Sequence, residues 1–95
     1  MTLLEQMANI GSEVERALNW RAKGNAAYAE KAFDRSLELM DLTLGSTEGL
    51  ARLKEFARLR EVWADYFSGS NQFSSTENSF KKYFFHFASA VRKNH

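Results

Sequence analysis

Residues 48–67 of this chain read EGLARLKEFARLREVWADYF, and this stretch decides the fold. Its apolar side chains recur three and four positions apart, which is the spacing that predicts an amphipathic helix. When residues are placed at about 100° per step, one broad apolar arc emerges. We name it the main arc, and it holds Leu50, Leu53, Phe56, Ala57, Trp63, Ala64 and Phe67. The stretch therefore predicts a helix that packs into a helical bundle.

The flanking sequence repeats this helical pattern three times. We predict further helices at about residues 3–23, 26–44 and 77–93, separated by Gly24-Asn25, by residues 45–47 and by the polar segment 68–76. Short connections favour antiparallel neighbours, and the absence of proline favours long helices. The expected structure is an all-α, antiparallel, up-down four-helix bundle that forms a single domain over residues 1–95.

Several local signals refine these boundaries. Gly11 and Ser12 could break the first helix, but its apolar stripe keeps its phase across them, so we expect one helix there. The segment Gly45-Ser46-Thr47 offers a hydroxyl N-cap for the third helix, and Ser74 with Glu77 has the spacing of a capping box.

The composition restricts the environment and the chemistry. The chain has no cysteine, which excludes disulfides and thiolate metal sites, and its formal net charge is +1. A balance this close to neutral gives no overall attraction to nucleic acid or to an anionic membrane. Neither a signal peptide nor a run of roughly 20 apolar residues is present, so we expect a cytoplasmic protein without membrane contact.

A second apolar stripe on the third helix, formed by Leu59, Val62 and Tyr66, lies on a different side from the main arc. A helix that is apolar on two sides is usually buried on both. We therefore predict self-association, with a homodimer favoured, through this stripe and through Phe85, which lies off the apolar face of helix four. The alternative is that a neighbouring helix or the loop around Phe73 covers the stripe.

Arg60 projects into the main arc, where a guanidinium needs a partner. Asp41 borders the apolar face of helix two and is the best candidate, so we predict a buried ion pair between the two residues. The second interpretation is that Arg60 faces a cleft and binds an anion.

No motif indicates catalysis, a cofactor or a metal site, and neither His86 nor His95 has the spacing of a metal ligand. We therefore expect a non-catalytic protein-interaction or self-association module, with an unknown protein partner as a further possibility. The alternative is a module that binds an anion, a small ligand or nucleic acid through Arg60 or through the basic residues of helix four. Nucleic acid is the less favoured partner, because it needs a contiguous basic stripe and the basic residues of helix three are scattered around that helix. The basic residues of helix four are Lys81, Lys82, Arg92 and Lys93.

Overall fold

The computed structural model describes residues 1–93, and within them the chain forms four helices and no strand. The helices are α1 (Leu3–Ala22), α2 (Ala26–Ser46), α3 (Leu50–Ser68) and α4 (Glu77–Lys93). They form a small antiparallel bundle, which confirms the predicted fold class. α1 runs without a break through Gly11, as expected. His95 lies outside the described residues.

α1 is the central helix, because it packs closely against both α2 and α4. Its apolar stripe supplies much of the core, and the buried members are Met7, Ile10, Val14, Ala17 and Leu18. Gly11 lies on the side that faces α4. A Cβ atom built on Gly11 would lie only 2.8 Å from the Cβ of Phe84. The two helices therefore approach each other at a distance that a side chain at this position would prevent.

The centre of the core is the indole of Trp63, which is fully buried. Its Nε1–H donates to the hydroxyl of Ser36 at 2.8 Å, and that hydroxyl in turn donates to the carbonyl of Phe33. The rings of Phe33, Phe67 and Phe80 lie with their centroids 5.7, 5.3 and 5.1 Å from that of Trp63. Residues of α2, α3 and α4 thus meet around one side chain, whose single polar atom is satisfied.

The structure corrects two of the predicted caps. Thr47 does not cap α3, because its hydroxyl donates to the carbonyl of Thr43 one turn back in α2. Gly49, with φ of 89°, takes the N-cap position of α3 instead. Before α4, the hydroxyl of Thr76 rather than Ser74 accepts the N–H of Ser79.

The structure also shows what lies against the second stripe of helix three. Leu59, Val62 and Tyr66 are partly buried and pack against the core of their own chain. The reason is that α4 lies on this side, with the ring of Phe80 centred 5.2 Å from that of Tyr66. The stripe assigned to a second copy therefore packs within one chain. The N-terminal end of the main arc is exposed instead, since Leu50 retains 67% of its accessible surface.

None of the helices in residues 1–93 combines the length and the apolar content that a membrane span requires.

Candidate functional site

Arg60 and Asp41 are brought together by the antiparallel packing of α2 and α3. Arg60 Nε donates to Asp41 Oδ1 at 2.6 Å, and Nη2 donates to Oδ2 at 3.3 Å, so the pair is bidentate. The pair is not buried: the side chains retain 36% and 58% of their accessible surface. It lies at the edge of the α2–α3 contact, where both groups stay hydrated. Asp41 is therefore the partner of Arg60, and the alternative that Arg60 binds an anion stays a prediction.

The other arginine on an apolar face, Arg21, is satisfied at the far end of α3. Its Nη1 donates to the carbonyl of Phe67 at 3.3 Å, and its guanidinium lies 5.1 Å from the ring centre of Tyr66 and 4.7 Å from that of Phe67. A cation at a helix C-terminus interacts favourably with the last carbonyl groups. Arg21 is therefore a structural residue.

The outer face of α4 is different in character. Phe80 and Phe84 anchor the helix in the core, and the opposite side carries the exposed ring of Phe85, which retains 59% of its accessible surface. Lys81 and Lys82 are exposed on the turn before Phe85, and Arg92 and Lys93 on the turns after it. The guanidinium of Arg92 lies 5.9 Å from the centre of the Phe85 ring.

Phe85 lines two depressions in the surface. One is a cleft of about 280 Å³ between α1 and α4, with Gly11, Val14 and Phe84 among the residues that line it. The other is a shallow depression that includes Lys82 and His86. Lys81 also lines both depressions, so they adjoin at Phe85 and Lys81.

Shallow, open depressions continue across the outer side of α1 and onto α2. The α1–α4 cleft shares Ser12 and Glu15 with a third depression, and that depression shares Arg16 and Trp20 with a fourth. The four adjoining depressions therefore form one row, which we call the groove. It crosses α4, α1 and α2 in that order.

The groove is strongly basic. Seven of the thirteen Lys and Arg residues line it, whereas only two of the twelve acidic residues, Glu13 and Glu15, do so. The seven cations are Lys81, Lys82, Arg92, Arg16, Lys23, Lys31 and Arg35. The near-neutral net charge of the whole chain therefore does not reflect this local excess of positive charge.

The end of the groove on α1 and α2 is built by the tight connection between these helices. Gly24 has φ of 80°, a conformation that glycine adopts at little cost, and Asn25 caps α2 by accepting the N–H of Tyr28. This turn places the rings of Trp20 and Tyr28 edge to face, with centroids 4.9 Å apart. The pair lines the groove with aromatic surface here, as Phe85 does on α4.

Each of these three exposed or half-exposed rings has a cation beside it. Lys23 Nζ lies 5.2 Å from the ring centre of Trp20, and Lys31 Nζ lies 5.7 Å from that of Tyr28. Arg92 takes the same position at Phe85.

The cations of the groove differ in how far carboxylates neutralise them. Three pair with a glutamate, at distances of 2.6, 3.1 and 3.1 Å: Arg16 with Glu13, Arg35 with Glu38, and Lys81 with Glu77. Among residues 1–93, no carboxylate oxygen lies within 4.0 Å of the other four, which are Lys23, Lys31, Lys82 and Arg92. Within the described part of the chain, these four cations are not neutralised by a carboxylate.

One titratable group outside the groove is perturbed. Burial raises the pKa of the Tyr83 phenol above its usual range, and the hydrogen bond that its hydroxyl donates to Glu55 at 2.7 Å raises it further. This bond ties α4 to α3. Among the described residues there is no group of three or more histidine and acidic side chains that could hold a metal ion.

Sequence reasoning identified only part of this groove. Phe85 and the basic residues of α4 were candidates, but Trp20, Tyr28, Lys23 and Lys31 were not. A signal for them was present, because each aromatic residue is followed three positions later by a lysine on an outward face. That signal becomes a site only once the bundle brings the outer faces of α1, α2 and α4 side by side.

The fold and the groove together define a small all-α bundle with a basic, aromatic concave surface. Compared with known proteins, the chain matches no family model, no curated protein and no solved structure.

Proposed function

We propose that this chain is a non-catalytic binding module and that the groove is its binding surface for a polyanionic partner. The observation that carries the proposal is a local excess of positive charge: seven Lys and Arg residues line the groove against two acidic residues, and two further glutamates, Glu38 and Glu77, pair with two of these cations. The rest of the chain holds six basic and ten acidic residues. A cleft lined by one sign of charge concentrates partners of the opposite sign, whatever the overall balance.

The groove also has the shape of a binding surface rather than of an active site. Its side chains are long, outward-facing cations and aromatic rings, which contact a partner over an extended area. Its lining contains no nucleophile that is hydrogen-bonded to a base, the arrangement on which covalent catalysis depends. Binding without chemistry is therefore the function that this geometry supports best.

Heparin affinity chromatography tests the proposal, because heparin is a polyanion without bases. Lys82→Gln/Arg92→Gln removes two groove cations that have no carboxylate partner. The matched control, Lys54→Gln/Arg52→Gln, removes one lysine and one arginine from the exposed side of α3. We expect the groove variant to elute at clearly lower salt than the control. Equal elution of the two variants, or no retention of the unmodified chain, would overturn the proposal.

Self-association and a cytoplasmic location remain predictions. The packing of Leu59, Val62 and Tyr66 against their own core removes the argument that assigned a dimer to that stripe. Sedimentation of the unmodified chain at micromolar concentration measures the oligomeric state directly. A substitution such as Leu59→Asp does not, since it would also disturb the core.

A further inference from the structure

We infer that the polyanion is a single-stranded nucleic acid, whose bases stack on the exposed rings of the groove while its phosphates contact the groove cations. This inference rests on the proposed function and adds the class of partner. Its basis is the pairing of aromatic and basic groups at two places along the groove, at Phe85 on α4 and at Trp20 and Tyr28 on α1 and α2.

The ring of Phe85 is the clearest stacking platform. It is exposed, it lines two depressions, and the guanidinium of Arg92 lies 5.9 Å from its ring centre. Every base has a π-face, so an exposed ring binds unpaired bases with little sequence preference. A base that occupied the α1–α4 cleft would place its own phosphate near Arg92 or Lys81, which both line that cleft.

The same arrangement recurs in the groove on α1 and α2. Tyr28 retains 49% of its accessible surface, and its edge-to-face contact with Trp20 holds the two rings in fixed orientations. Lys23 and Lys31 lie beside these rings and have no carboxylate partner among the described residues. A strand that follows the groove therefore meets aromatic surface and unneutralised charge at both places.

Other polyanions fit less of what the groove contains. An acidic peptide would satisfy the cations but would leave the ring faces unused. A membrane surface calls for side chains that project outward into lipid, whereas Trp20 is partly buried and lines two depressions. In a duplex the bases are already stacked on each other, so the rings could not reach them. A single strand is the partner that uses both components of the groove.

Glu15 is an acidic residue of the groove and should weaken the binding of a single strand. It lies where the α1–α4 cleft meets the third depression, in the path of the strand. Its carboxylate repels phosphates, so Glu15→Gln is expected to tighten the binding of a single strand about twofold to threefold, by the magnitude typical of one exposed like charge.

The experiment is fluorescence anisotropy of labelled, mixed-sequence single-stranded DNA and RNA of about 12 nucleotides, a length within the usual site sizes. We expect Phe85→Ala to weaken binding about tenfold, because it removes one stacking platform, and Phe85→Trp to retain it. The matched control is Phe73→Ala, because Phe73 also has a guanidinium beside its ring, that of Arg58 at 4.2 Å, but lies outside the groove. Phe73→Ala should bind as the unmodified chain does. Circular dichroism verifies that each variant is folded.

Further probes separate the possible failures. If Phe85→Ala binds the oligonucleotides as tightly as the unmodified chain, stacking is absent and the inference is wrong. Tighter binding of a same-length duplex, of polyglutamate, or of phosphatidylserine-containing vesicles would also overturn it. In each of these cases heparin retention by the groove cations would still support the proposed function. Loss of heparin retention itself would contradict the proposed function and this inference together.

Discussion

The close approach of α1 and α4 predicts that one substitution has opposite effects at two helical glycines. At Gly11, a Cβ would lie 2.8 Å from the Cβ of Phe84 and 3.0 Å from its Cγ. The Cβ of Phe84 is fixed by the backbone, so no rotation of the side chain relieves the clash. At Gly45, near the end of α2, an added Cβ meets no atom within 4 Å. Gly11→Ala should therefore destabilise the protein, whereas Gly45→Ala should stabilise it.

The magnitude follows from two opposing effects. Overpacking of a well-packed contact costs roughly 1–3 kcal/mol, and the upper end applies at Gly11 because the helices themselves must separate. Replacing glycine by alanine inside a helix stabilises the folded state by about 1 kcal/mol. The net loss at Gly11 is then about 2 kcal/mol, or roughly a 10 °C fall in Tm for a domain of this size. Gly45→Ala should gain about 0.5 kcal/mol, less than the full propensity because the helix ends one residue later.

Urea unfolding followed by tryptophan fluorescence measures both changes, and an unchanged m-value shows that the unfolded surface is comparable. If Gly11→Ala were as stable as the unmodified chain or more so, α1 and α4 would not approach as closely as described. The geometry of the α1–α4 cleft would then also need revision, since Gly11 lines it.

Three further predictions concern single contacts. Ser36→Ala leaves the buried N–H of Trp63 without an acceptor, and we expect a loss of about 2 kcal/mol in urea unfolding; a loss below about 0.5 kcal/mol would refute the role of this bond. Arg60→Met should lower the free energy of unfolding by less than about 1 kcal/mol, because the ion pair is exposed. Its effect should not add to that of Asp41→Asn, because the two side chains contact each other. A much larger loss of stability would mean that the pair is buried. Since the folded state raises the pKa of Tyr83, it holds that proton more tightly than the unfolded state, whose pKa is 10.0. Stability should therefore fall as pH rises above about 10, and Tyr83→Phe should show a shallower fall in unfolding measured between pH 8 and 11.

The fold was largely accessible from the sequence because it depends on short-range periodicity. The helix bounds follow from apolar spacing and from the Gly24-Asn25 turn, and both agree with the structure to within a few residues. The caps were harder to predict. A hydroxyl such as that of Thr47 can either cap the next helix or bond back to the previous turn, and the sequence does not distinguish these choices.

The surroundings of α3 were difficult to predict for a different reason. A helical wheel shows which residues share a face, but it does not show how many neighbours the helix has. The wheel separated Leu59, Val62 and Tyr66 from the main arc and left open whether a second copy or the same chain covers them. In the structure these residues are partly buried against the core of their own chain, with Phe80 of α4 beside Tyr66.

The groove was missed because charge was evaluated one helix at a time. In α2 and α3 the cations are interspersed with acidic residues, whereas α4 has one acidic residue, Glu77, and four cations; the total balance is +1. The excess of positive charge arises only where the outer faces of three helices lie side by side. That arrangement depends on tertiary packing, such as the packing of Trp20 against Tyr28, whose ring centroids are 4.9 Å apart. A surface that spans several helices produces no periodic pattern in the sequence of any one helix. For this chain, the distribution of cations relative to the exposed rings is therefore a feature that neither the net charge nor any single motif predicts.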